Sequence, residues 1–364
     1  MTTSDLTTSD VRLGSRRSAG DILESGRTTV EPALRAAVER LPAAMWPILG
    51  YHYGWLDEAG QPTDGGAGKA LRPTLALLAA RAVATEGLAT GAGEEGAAVP
   101  AAVAVELVHD FSLLHDDVMD RDLTRRHRPT TWSVFGVGPA ILAGDALLVL
   151  AMEVLVEADH PQAERAVRML SQAVQELVKG QVADLAFERR PDVGPAECLA
   201  MAEAKTGSLI GAAAAIGAVF GAGRPEQVDQ LERFGRELGL AYQLVDDLLG
   251  IWGDPDATGK PGNNDLRNRK KSLPVVAALG SGTEAGQELA LLYHREAALT
   301  EGELGRAAEL VELAGGRIWC QDRAEQLLTR AESRLSTVAP ESGPAADAVA
   351  ELRTLARLLA HRDH

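Results

Sequence analysis

A short acidic stretch at the end of a predicted helix constrains this chain most. It runs from His109 to Thr130 and carries Asp116, Asp117 and Asp120. Helical positions four apart share a face, so Asp116 and Asp120 stack, and their like charges would weaken an isolated helix. Divalent cations would neutralise such a cluster, because carboxylate oxygens are preferred ligands of Mg²⁺, usually together with substrate phosphates. The simpler alternative is a solvated acidic helix end. The other segments of the chain are needed to choose between these two interpretations.

The chain has 364 residues, of which 46% are hydrophobic and only 4% aromatic. A core of Ala, Leu and Val favours closely packed helices, and no alternating β-branched run is long enough for a sheet. We therefore predict one all-α domain over residues 29–364. The predicted helices are Val30–Leu41, Ala43–Leu56, one from Lys69 to about Val83, one opened by Pro100 that bears the aspartates, Pro139–Ala158, Pro161–Phe187, Pro195–Phe220, Pro225–Trp252, Glu284–Leu299, Glu303–Leu313, Arg317–Val338 and Gly343–Ala360.

Residues 1–28 are polar, lack periodicity and repeat TTSDL as TTSDV. They are predicted to be a disordered tail, either simply solvated or docking an unknown partner. The N-terminus has no basic start followed by an apolar run, so no secretory signal is expected.

Charge and composition exclude several classes of function. The formal net charge of −16 argues against nucleic-acid binding, and two cysteines cannot build a disulfide framework. A reduced, cytoplasmic setting is the simplest interpretation. No segment reaches the ~18 uninterrupted apolar residues of a transmembrane helix. The nearest, Leu209–Gly223, is short and rich in Ala and Gly, and is predicted to be a buried helix that its neighbours approach closely.

A second acidic pair, Asp246 and Asp247, lies near the end of another long predicted helix. The loop that follows carries Asp254, Lys260 and Asp265. Two helices that each end in an aspartate pair can face each other across a cavity. Several Mg²⁺ ions could then bridge both pairs to one diphosphate.

The lysines cluster near these acidic segments. Only six of 36 basic residues are lysines, and lysine is a compact point charge suited to phosphate oxygens. The candidate phosphate groups are Lys69 with Arg72, Arg125 with Arg126, Lys205 with Thr206, and Lys260 with Lys270 and Lys271, while Lys179 lies beside Gly180–Asp184. The alternatives are an exposed basic patch, charge balance for the aspartates and a snorkelling lysine.

Other polar residues fall on otherwise apolar helix faces. His109 precedes Asp116 by seven residues, so it should face the same cavity, although a lone histidine is usually structural. Gln181, Asp184 and Gln243 could hold water, metal or phosphate, or satisfy buried neighbours.

Together these segments resemble the trans-isoprenyl diphosphate synthases, the polyprenyl synthetase family, from about Val30 to the C-terminus. In order the motifs are GKxxRP, the ExxHxxSLxHDDxxD helix, RRxxPT, GD at Gly144–Asp145, GQ at Gly180–Gln181, KT, QxxDD, GK, and D-x₄-K before SLP. Each piece alone is weak, whereas the combination is specific.

The resemblance implies antiparallel helices around a deep central cavity, usually in a homodimer. It implies Mg²⁺-dependent 1′-4 condensation of an allylic diphosphate with isopentenyl diphosphate, with three Mg²⁺ per active site. The implied metal ligands are Asp116, Asp117, Asp120, Asp246 and Asp247, and the implied catalytic residues are Asp116, Asp117, Arg125, Lys205 and Asp246. The allylic phosphates would be held by Arg125, Lys205, Lys260 and Lys270, with Thr206, Gln181 and Gln243 lining the site. Isopentenyl diphosphate would be held by Lys69, Arg72, His109 and Arg126.

The product length is inferred from a bulky residue followed by a small one. Phe111 and Ser112 stand five and four residues before Asp116, which resembles geranylgeranyl diphosphate synthases and predicts a C20 product. Ordinary core packing is the alternative role for Phe111.

The chain also departs from the family pattern. Gly250 stands where the second motif usually has a third aspartate, His127 replaces a common Gly, and Ala67 replaces a Gly before the lysine motif. The glycine at 250 puts the second metal site in doubt.

Other products and other classes of function remain as alternatives. A farnesyl or longer-chain synthase would share these motifs. A class I terpene cyclase would want an Asn/Ser/Glu metal motif where this chain has DDLLGIWGD. A non-catalytic partner subunit would typically have lost the aspartates or arginines that are intact here.

Overall fold

The computed structural model describes residues 17–63, 68–84, 92–254, 262–293, 295 and 297–360. Its architecture is all-α, as predicted. The elements are α1 Ala19–Val38, a 3₁₀ turn Ala43–Met45, α2 Trp46–His52, α3 Leu71–Val83, α4 Ala92–Met119, β1 Thr124–Arg125, β2 Arg128–Pro129, α5 Thr131–Phe135, α6 Val137–Glu157, α7 Ala163–Phe187, α8 Pro195–Ala202, a π-helical turn Glu203–Gly207, α9 Ser208–Phe220, α10 Pro225–Trp252, α11 Asn264–Arg267, α12 Leu273–Leu279, α13 Glu284–Tyr293, α14 Glu301–Leu313, α15 Gly316–Leu335 and α16 Pro344–Ala360.

Helix α9 lies at the centre of the bundle. Every residue of Ser208–Phe220 is buried, and α3, α4, α7 and α10 pack around it. The small residues allow this close packing: a Cβ on Gly217 would lie 2.1 Å from the carbonyl oxygen of Ala76 on α3. The expectation of a buried helix is confirmed for Leu209–Phe220, whereas Gly221, Ala222 and Gly223 lie beyond its end and are not buried.

The first helix begins earlier than predicted. The Ser18 hydroxyl accepts a hydrogen bond from the Asp21 backbone (3.1 Å), and the Asp21 carboxylate accepts one from the Ser18 backbone (3.2 Å), which together form a capping box. Ile22, Gly26 and Val30, four residues apart, form its buried face. The prediction of a disordered tail is therefore wrong for residues 19–28, while residues 1–16 lie outside the described part of the chain.

Three other predicted boundaries also differ. Helix α4 begins at Ala92, so Pro100 lies inside it and does not open it. Helix α3 begins at Leu71 because Ala70 is left-handed (φ 47°), which leaves Lys69 before the helix. The predicted helix Pro195–Phe220 is interrupted by the π-helical turn.

A two-stranded hairpin, β1–β2, follows α4. Thr124 pairs with Pro129 and Arg125 with Arg128, in an antiparallel arrangement. The two residues between the strands, Arg126 and His127, have φ of 51° and 62°, as two-residue hairpin turns require. The hairpin fixes the arginine pair directly beyond the acidic helix end.

Two helical segments are long and apolar enough to cross a bilayer by length and composition alone. They are Gly96–Met119, where 72% of the most apolar window is buried in the fold, and Val137–Glu157, where 39% is. Buried core helices pass the same test, and the first segment is such a helix.

Candidate active site

The first acidic end, formed by Asp116, Asp117 and Asp120, lies at the C-terminus of α4. Asp117 is 3% exposed, and its Oδ1 accepts a hydrogen bond from Nε of Arg125 on β1 (2.7 Å) and forms an ion pair with Nη2 of the same residue (2.6 Å). Asp116 is partly buried and Asp120 is exposed. The arginine predicted to bind phosphate therefore also fixes one of the predicted metal ligands.

Lys205 lies in the π-helical turn and joins α7 to α4. Its Nζ is 2.7 Å from Oδ2 of Asp184 and 4.0 Å from Oδ2 of Asp116. Burial opposes the charge of Lys205, but Asp116 and Asp184 raise its pKa above the ordinary value. π-helical turns inside longer helices are frequent at functional sites. The ammonium therefore stays charged at the acidic end, as a phosphate-binding group requires.

The first acidic end places four carboxylates, those of Asp116, Asp117, Asp120 and Asp184, beside two cations, Lys205 and Arg125. Desolvation raises the pKa of Asp120 to about 6, against the opposing charge of Lys205, and the nearby Asp116 and Asp184 add to the rise. Burial likewise raises the pKa of Asp116. A site with oxygen donors and excess negative charge fits a hard divalent cation such as Mg²⁺.

The second acidic end, formed by Asp246 and Asp247, lies near the C-terminus of α10. Asp246 is exposed, whereas Asp247 is 5% exposed and held from several sides. Oδ1 of Asp247 accepts a hydrogen bond from Nε2 of Gln243 (2.9 Å) and lies 3.6 Å from Nζ of Lys270. Its Oδ2 accepts one from the backbone N–H of Leu273 (2.8 Å).

The two acidic ends are linked through two consecutive residues, Lys205 and Thr206, whose side chains reach opposite ends. The Thr206 hydroxyl donates to Oε1 of Gln243 (2.7 Å), and Gln243 donates to Asp247. Thr206 follows Lys205, which reaches Asp184 and approaches Asp116. The structure therefore brings the two predicted aspartate motifs into one site, around the predicted KT and QxxDD residues.

A second charged group lies around His109, seven residues before Asp116 on α4. His109 is surrounded by Arg72, Arg126 and Arg125, and burial followed by these charges lowers its pKa well below the ordinary value. The guanidinium of Arg126 occupies the space beside Gly68, where a Cβ would lie 2.6 Å from it. These neighbours bring the GKxxRP segment against the arginine hairpin, as the predicted second diphosphate site requires.

Sequence reasoning missed the acidic residues behind that group. Burial, and secondarily Asp110, raises the pKa of Glu106 to about 8, while Arg72 and Arg126 oppose the rise. Oδ1 of Asp110 is 3.1 Å from Nε2 of His52. The spacing of Glu106, His109 and Asp110 on one helix was visible in the sequence, but the partner His52 came only from the tertiary fold.

The two residues used to predict product length lie deeper than the aspartates. Phe111 is 7% exposed, and its ring meets His115 edge-to-face with centroids 4.8 Å apart. The Ser112 hydroxyl turns back to donate to the carbonyl of His109 (2.7 Å). Phe111 would be buried in either role, as the floor of the cavity or as part of the core, so its burial fits both.

Some predicted residues lie away from the site, and others remain unplaced. The Lys179 side chain is 74% exposed and pairs with Glu176 (3.5 Å), so it does not belong to a phosphate-binding set. Lys271 lies over the ring of Tyr293, 5.4 Å from its centroid. Lys69 is exposed, and Lys260 lies outside the described residues. Gln181 is buried, with its Nε2 3.9 Å from the Met119 sulfur.

Among the described residues, no three acidic, imidazole or thiol side chains already converge as a complete metal site. The carboxylates instead form two incomplete half-sites. A Mg²⁺ ion usually completes its shell with substrate phosphates and water, so incomplete protein sites suit a cation that arrives with a diphosphate.

Comparisons with known proteins identify the family. The polyprenyl synthetase family model matches residues 54–311. A (2E,6E)-farnesyl diphosphate synthase of Mycobacterium tuberculosis (strain H37Rv) is 45% identical over 345 residues, which are 94% of this chain and 92% of the relative. A geranylgeranyl diphosphate synthase of the same strain is 45% identical over 315 residues, covering 86% and 88%. The crystal structure of a polyprenyl synthetase from Streptomyces coelicolor A3(2) is 47% identical, with a TM-score of 0.85 over 93% of this chain and 98% of that one.

The chain belongs to the polyprenyl synthetase family. It is a transferase of the isoprenyl diphosphate synthase class, built on the all-α isoprenoid synthase fold. Members of this family bind diphosphates through divalent metal ions and use isopentenyl and allylic diphosphates as substrates.

Proposed function

We propose that this enzyme condenses an allylic diphosphate with isopentenyl diphosphate in a 1′-4 linkage, and that its main product is the C20 geranylgeranyl diphosphate. The observation that carries the proposal is the polar series that joins Asp116 to Asp247 through Lys205, Thr206 and Gln243. Carboxylates on both sides and a charged lysine between them suit one diphosphate held with divalent cations.

The proposed allylic site works through positioning and charge. Lys205, Lys270 and Arg125 hold phosphate oxygens, so they stabilise the negative charge that grows on the diphosphate as its C–O bond breaks. Asp116, Asp117, Asp120, Asp246 and Asp247 are the residues that would hold Mg²⁺, three ions per site. When bound, Mg²⁺ supplies Lewis-acid stabilisation of the same leaving group.

The proposed second substrate lies on the side of the arginine hairpin. Lys69, Arg72 and Arg126 would bind isopentenyl diphosphate through its phosphates. His109, which lies among these arginines, would donate a hydrogen bond from a ring N–H. Residues 101–105 of α4 and nearly all of α9 are buried and apolar, which keeps water away from an allylic cation.

The C20 product is supported by Phe111 followed by Ser112. The two Mycobacterium tuberculosis relatives, named for C15 and C20 products, have the same identity to this chain, so farnesyl diphosphate is the second candidate. If Phe111 is the floor of the cavity, Phe111→Ala should lengthen the product. If it only packs the core, the same change should lower stability and leave product length unchanged.

The direct test incubates the enzyme with isopentenyl diphosphate, Mg²⁺ and each allylic primer, followed by dephosphorylation and sizing of the alcohols. We expect C20 as the main product, and a shift to longer chains for Phe111→Ala. Leu107→Ala is the matched control, because Leu107 is buried on the same helix one turn before Phe111. A C15 end product would favour the farnesyl alternative.

The same incubation distinguishes the other classes. A hydrocarbon product would favour a terpene cyclase. Failure to condense any primer, in a protein that folds and binds diphosphate, would favour a non-catalytic partner subunit.

We also propose a homodimer that packs through α6. Leu142, Val149 and Val156, spaced by seven residues, are 56%, 61% and 68% exposed and share one helix face. A second copy of the chain would cover this apolar stripe. Sedimentation should give a dimer mass for the wild type and a monomer mass for Leu142→Glu/Val149→Glu. A monomeric wild type that floats with liposomes would instead assign the stripe to a membrane.

Cytoplasmic location is proposed from the thiols. Cys198 and Cys320 are both buried and free, in keeping with a reducing compartment. Fractionation of the source cells should recover the enzyme with cytoplasmic markers.

A further inference from the structure

The two arginines of the hairpin β1–β2 are held in different ways. Arg125 on β1 is fixed by Asp117, through a hydrogen bond from its Nε (2.7 Å) and an ion pair from its Nη2 (2.6 Å). Within the ranges that the structure describes, no hydrogen bond or ion pair anchors the guanidinium of Arg126, which is exposed. The position of Arg126 therefore depends on the backbone of the hairpin.

The turn of this hairpin adopts a backbone conformation that disfavours its two residues. Arg126 and His127 both have positive φ, 51° and 62°. Residues other than glycine adopt this left-handed region at a cost in free energy, and they keep it where the surrounding structure fixes them. The family pattern commonly has a glycine at position 127, where this chain has histidine. The hairpin therefore needs support from the rest of the fold.

The segment of residues 51–56, at the end of α2, holds both residues of β2. The Tyr51 hydroxyl donates a hydrogen bond to the carbonyl of Pro129 (2.8 Å). The guanidinium of Arg128 lies over the Tyr51 ring, 4.3 Å from its centroid, and its Nη2 donates to the carbonyl of Leu56 (3.1 Å). Tyr51 is only 3% exposed, so its ring and hydroxyl are fixed within the fold.

His52 connects the same segment to α4 and to the helix that follows the hairpin. Its Nε2 lies 3.1 Å from Oδ1 of Asp110, the residue after His109, and its Nδ1 lies 3.4 Å from the hydroxyl of Thr131. The side chains of His52 and Asp110 are 8% and 4% exposed. Because α5 begins at Thr131, two residues after β2 ends, His52 fixes the end of the hairpin relative to the helix that carries His109.

We propose that Tyr51 and His52 are positioning residues for the second substrate, because they hold the strained hairpin against α4 and so direct Arg126 towards the phosphates of isopentenyl diphosphate. Both precede residue 54, where the match to the family model begins, so this support comes from outside that match. Arg125 has its own partner in Asp117, so loss of the support should affect the second substrate more than the allylic one. The inference rests on the proposed function.

The first test removes one hydroxyl. Tyr51→Phe loses the hydrogen bond to Pro129 and keeps the ring beneath Arg128, so the protein should fold. Calorimetric titration of the full chain with isopentenyl diphosphate, without Mg²⁺ or primer, should show binding about ten-fold weaker than in the wild type. In steady-state assays the KM for isopentenyl diphosphate should rise by a similar factor, while kcat and the KM for the allylic primer stay within about two-fold. A purely structural defect would not separate the two KM values.

The second test relieves the strained turn. His127→Gly supplies a residue that adopts positive φ freely, so alone it should leave the KM for isopentenyl diphosphate within about two-fold. Combined as Tyr51→Phe/His127→Gly, it should return the affinity to within about three-fold of the wild type. His52→Ala should also raise this KM, and His52→Gln should raise it less, because an amide can still donate to Asp110.

Tyr293→Phe is the matched control, because the hydroxyl of this buried tyrosine on α13 has no hydrogen-bond partner among the described residues. It should change neither the affinity nor the KM values. Wild-type affinity in a folded Tyr51→Phe protein, or an equal rise in both KM values, would overturn the positioning role and leave the proposed function standing. A double variant that binds no better than Tyr51→Phe would also overturn it. A wild-type protein that binds no isopentenyl diphosphate and condenses no primer would overturn both.

Discussion

The two acidic helix ends use their carboxylates differently. At the end of α4, Asp117 is fixed by Arg125, whereas Asp116 is 4.0 Å from Lys205 and Asp120 lies exposed at the helix end. Near the end of α10, Asp247 is held by Gln243, Lys270 and a backbone N–H. Although the two motifs are similar, the end of α4 leaves carboxylates available to added cations. Near the end of α10, the buried carboxylate of Asp247 instead holds neighbouring segments together.

The depth of a carboxylate does not decide its role, as a second pair of residues shows. Asp247 and Glu106 are both buried, and burial raises the pKa of each. Asp247 has hydrogen-bond donors at both oxygens, whereas Oε2 of Glu106 has no hydrogen-bond partner among the described residues. A buried carboxylate with donors stabilises the fold, and one without them binds a proton instead.

The largest expected effect comes from the first acidic end. Asp116→Asn should lower kcat/KM by about 10³-fold, or about 4 kcal/mol of transition-state stabilisation, because a charge next to the leaving group is lost. Its melting temperature should stay near that of the wild type, since the change keeps the side-chain shape. Steady-state kinetics checks this, with Asp322→Asn, a change to an exposed aspartate on α15, as control. A ten-fold loss or less would mean that the two ends are not specialised as described.

Asp247→Ala should lower stability in addition to removing a proposed metal ligand. The change removes two hydrogen bonds and the partner of Lys270, so the free energy of unfolding should fall by about 3 kcal/mol. Urea denaturation measures it, and Asp246→Ala is the matched control, because Asp246 is the exposed neighbour and should shift stability by less than about 0.5 kcal/mol. Equal losses for both variants would contradict the distinction between the two aspartates.

Glu106→Gln should change how stability depends on pH. The pKa of Glu106 is about 8 in the folded protein and about 4.5 unfolded, so the folded state holds the proton more tightly. Stability is then greatest below pH 4.5 and falls as pH rises towards 8. Glutamine does not titrate, so Glu106→Gln should not lose stability over this range. Its free energy of unfolding should exceed that of the wild type by on the order of 1 to 2 kcal/mol between pH 5 and 9. Melting curves at each pH measure the gain, and a constant difference would assign the proton elsewhere.

The sequence predicted some features of the two acidic helix ends better than others. It identified the helices and both aspartate motifs because helical periodicity and i, i+4 spacing are local properties. It missed Asp265 beside Gly250 and the contact between Lys205 and Asp184, because those contacts join distant segments. The start of α1 was missed because its first turn is polar and only every fourth residue is buried. The local sequence pattern therefore identified which residues could carry the chemistry. Tertiary packing determined which of those residues lie in contact with one another.

The smallest effect tests the idea that all six lysines serve the site. Lys179 and Lys205 lie on neighbouring elements, α7 and the π-helical turn, but Lys179 points outward and pairs with Glu176. An exposed pair of this kind contributes about 0.3 kcal/mol, so Lys179→Ala should leave kcat/KM within two-fold and stability almost unchanged. Lys205→Ala removes the same charge from between the two acidic ends, and should lower kcat/KM by about 10²-fold. Because both variants delete one ammonium, the difference between them measures position alone. A loss of ten-fold or more for Lys179→Ala would return that lysine to the phosphate-binding set.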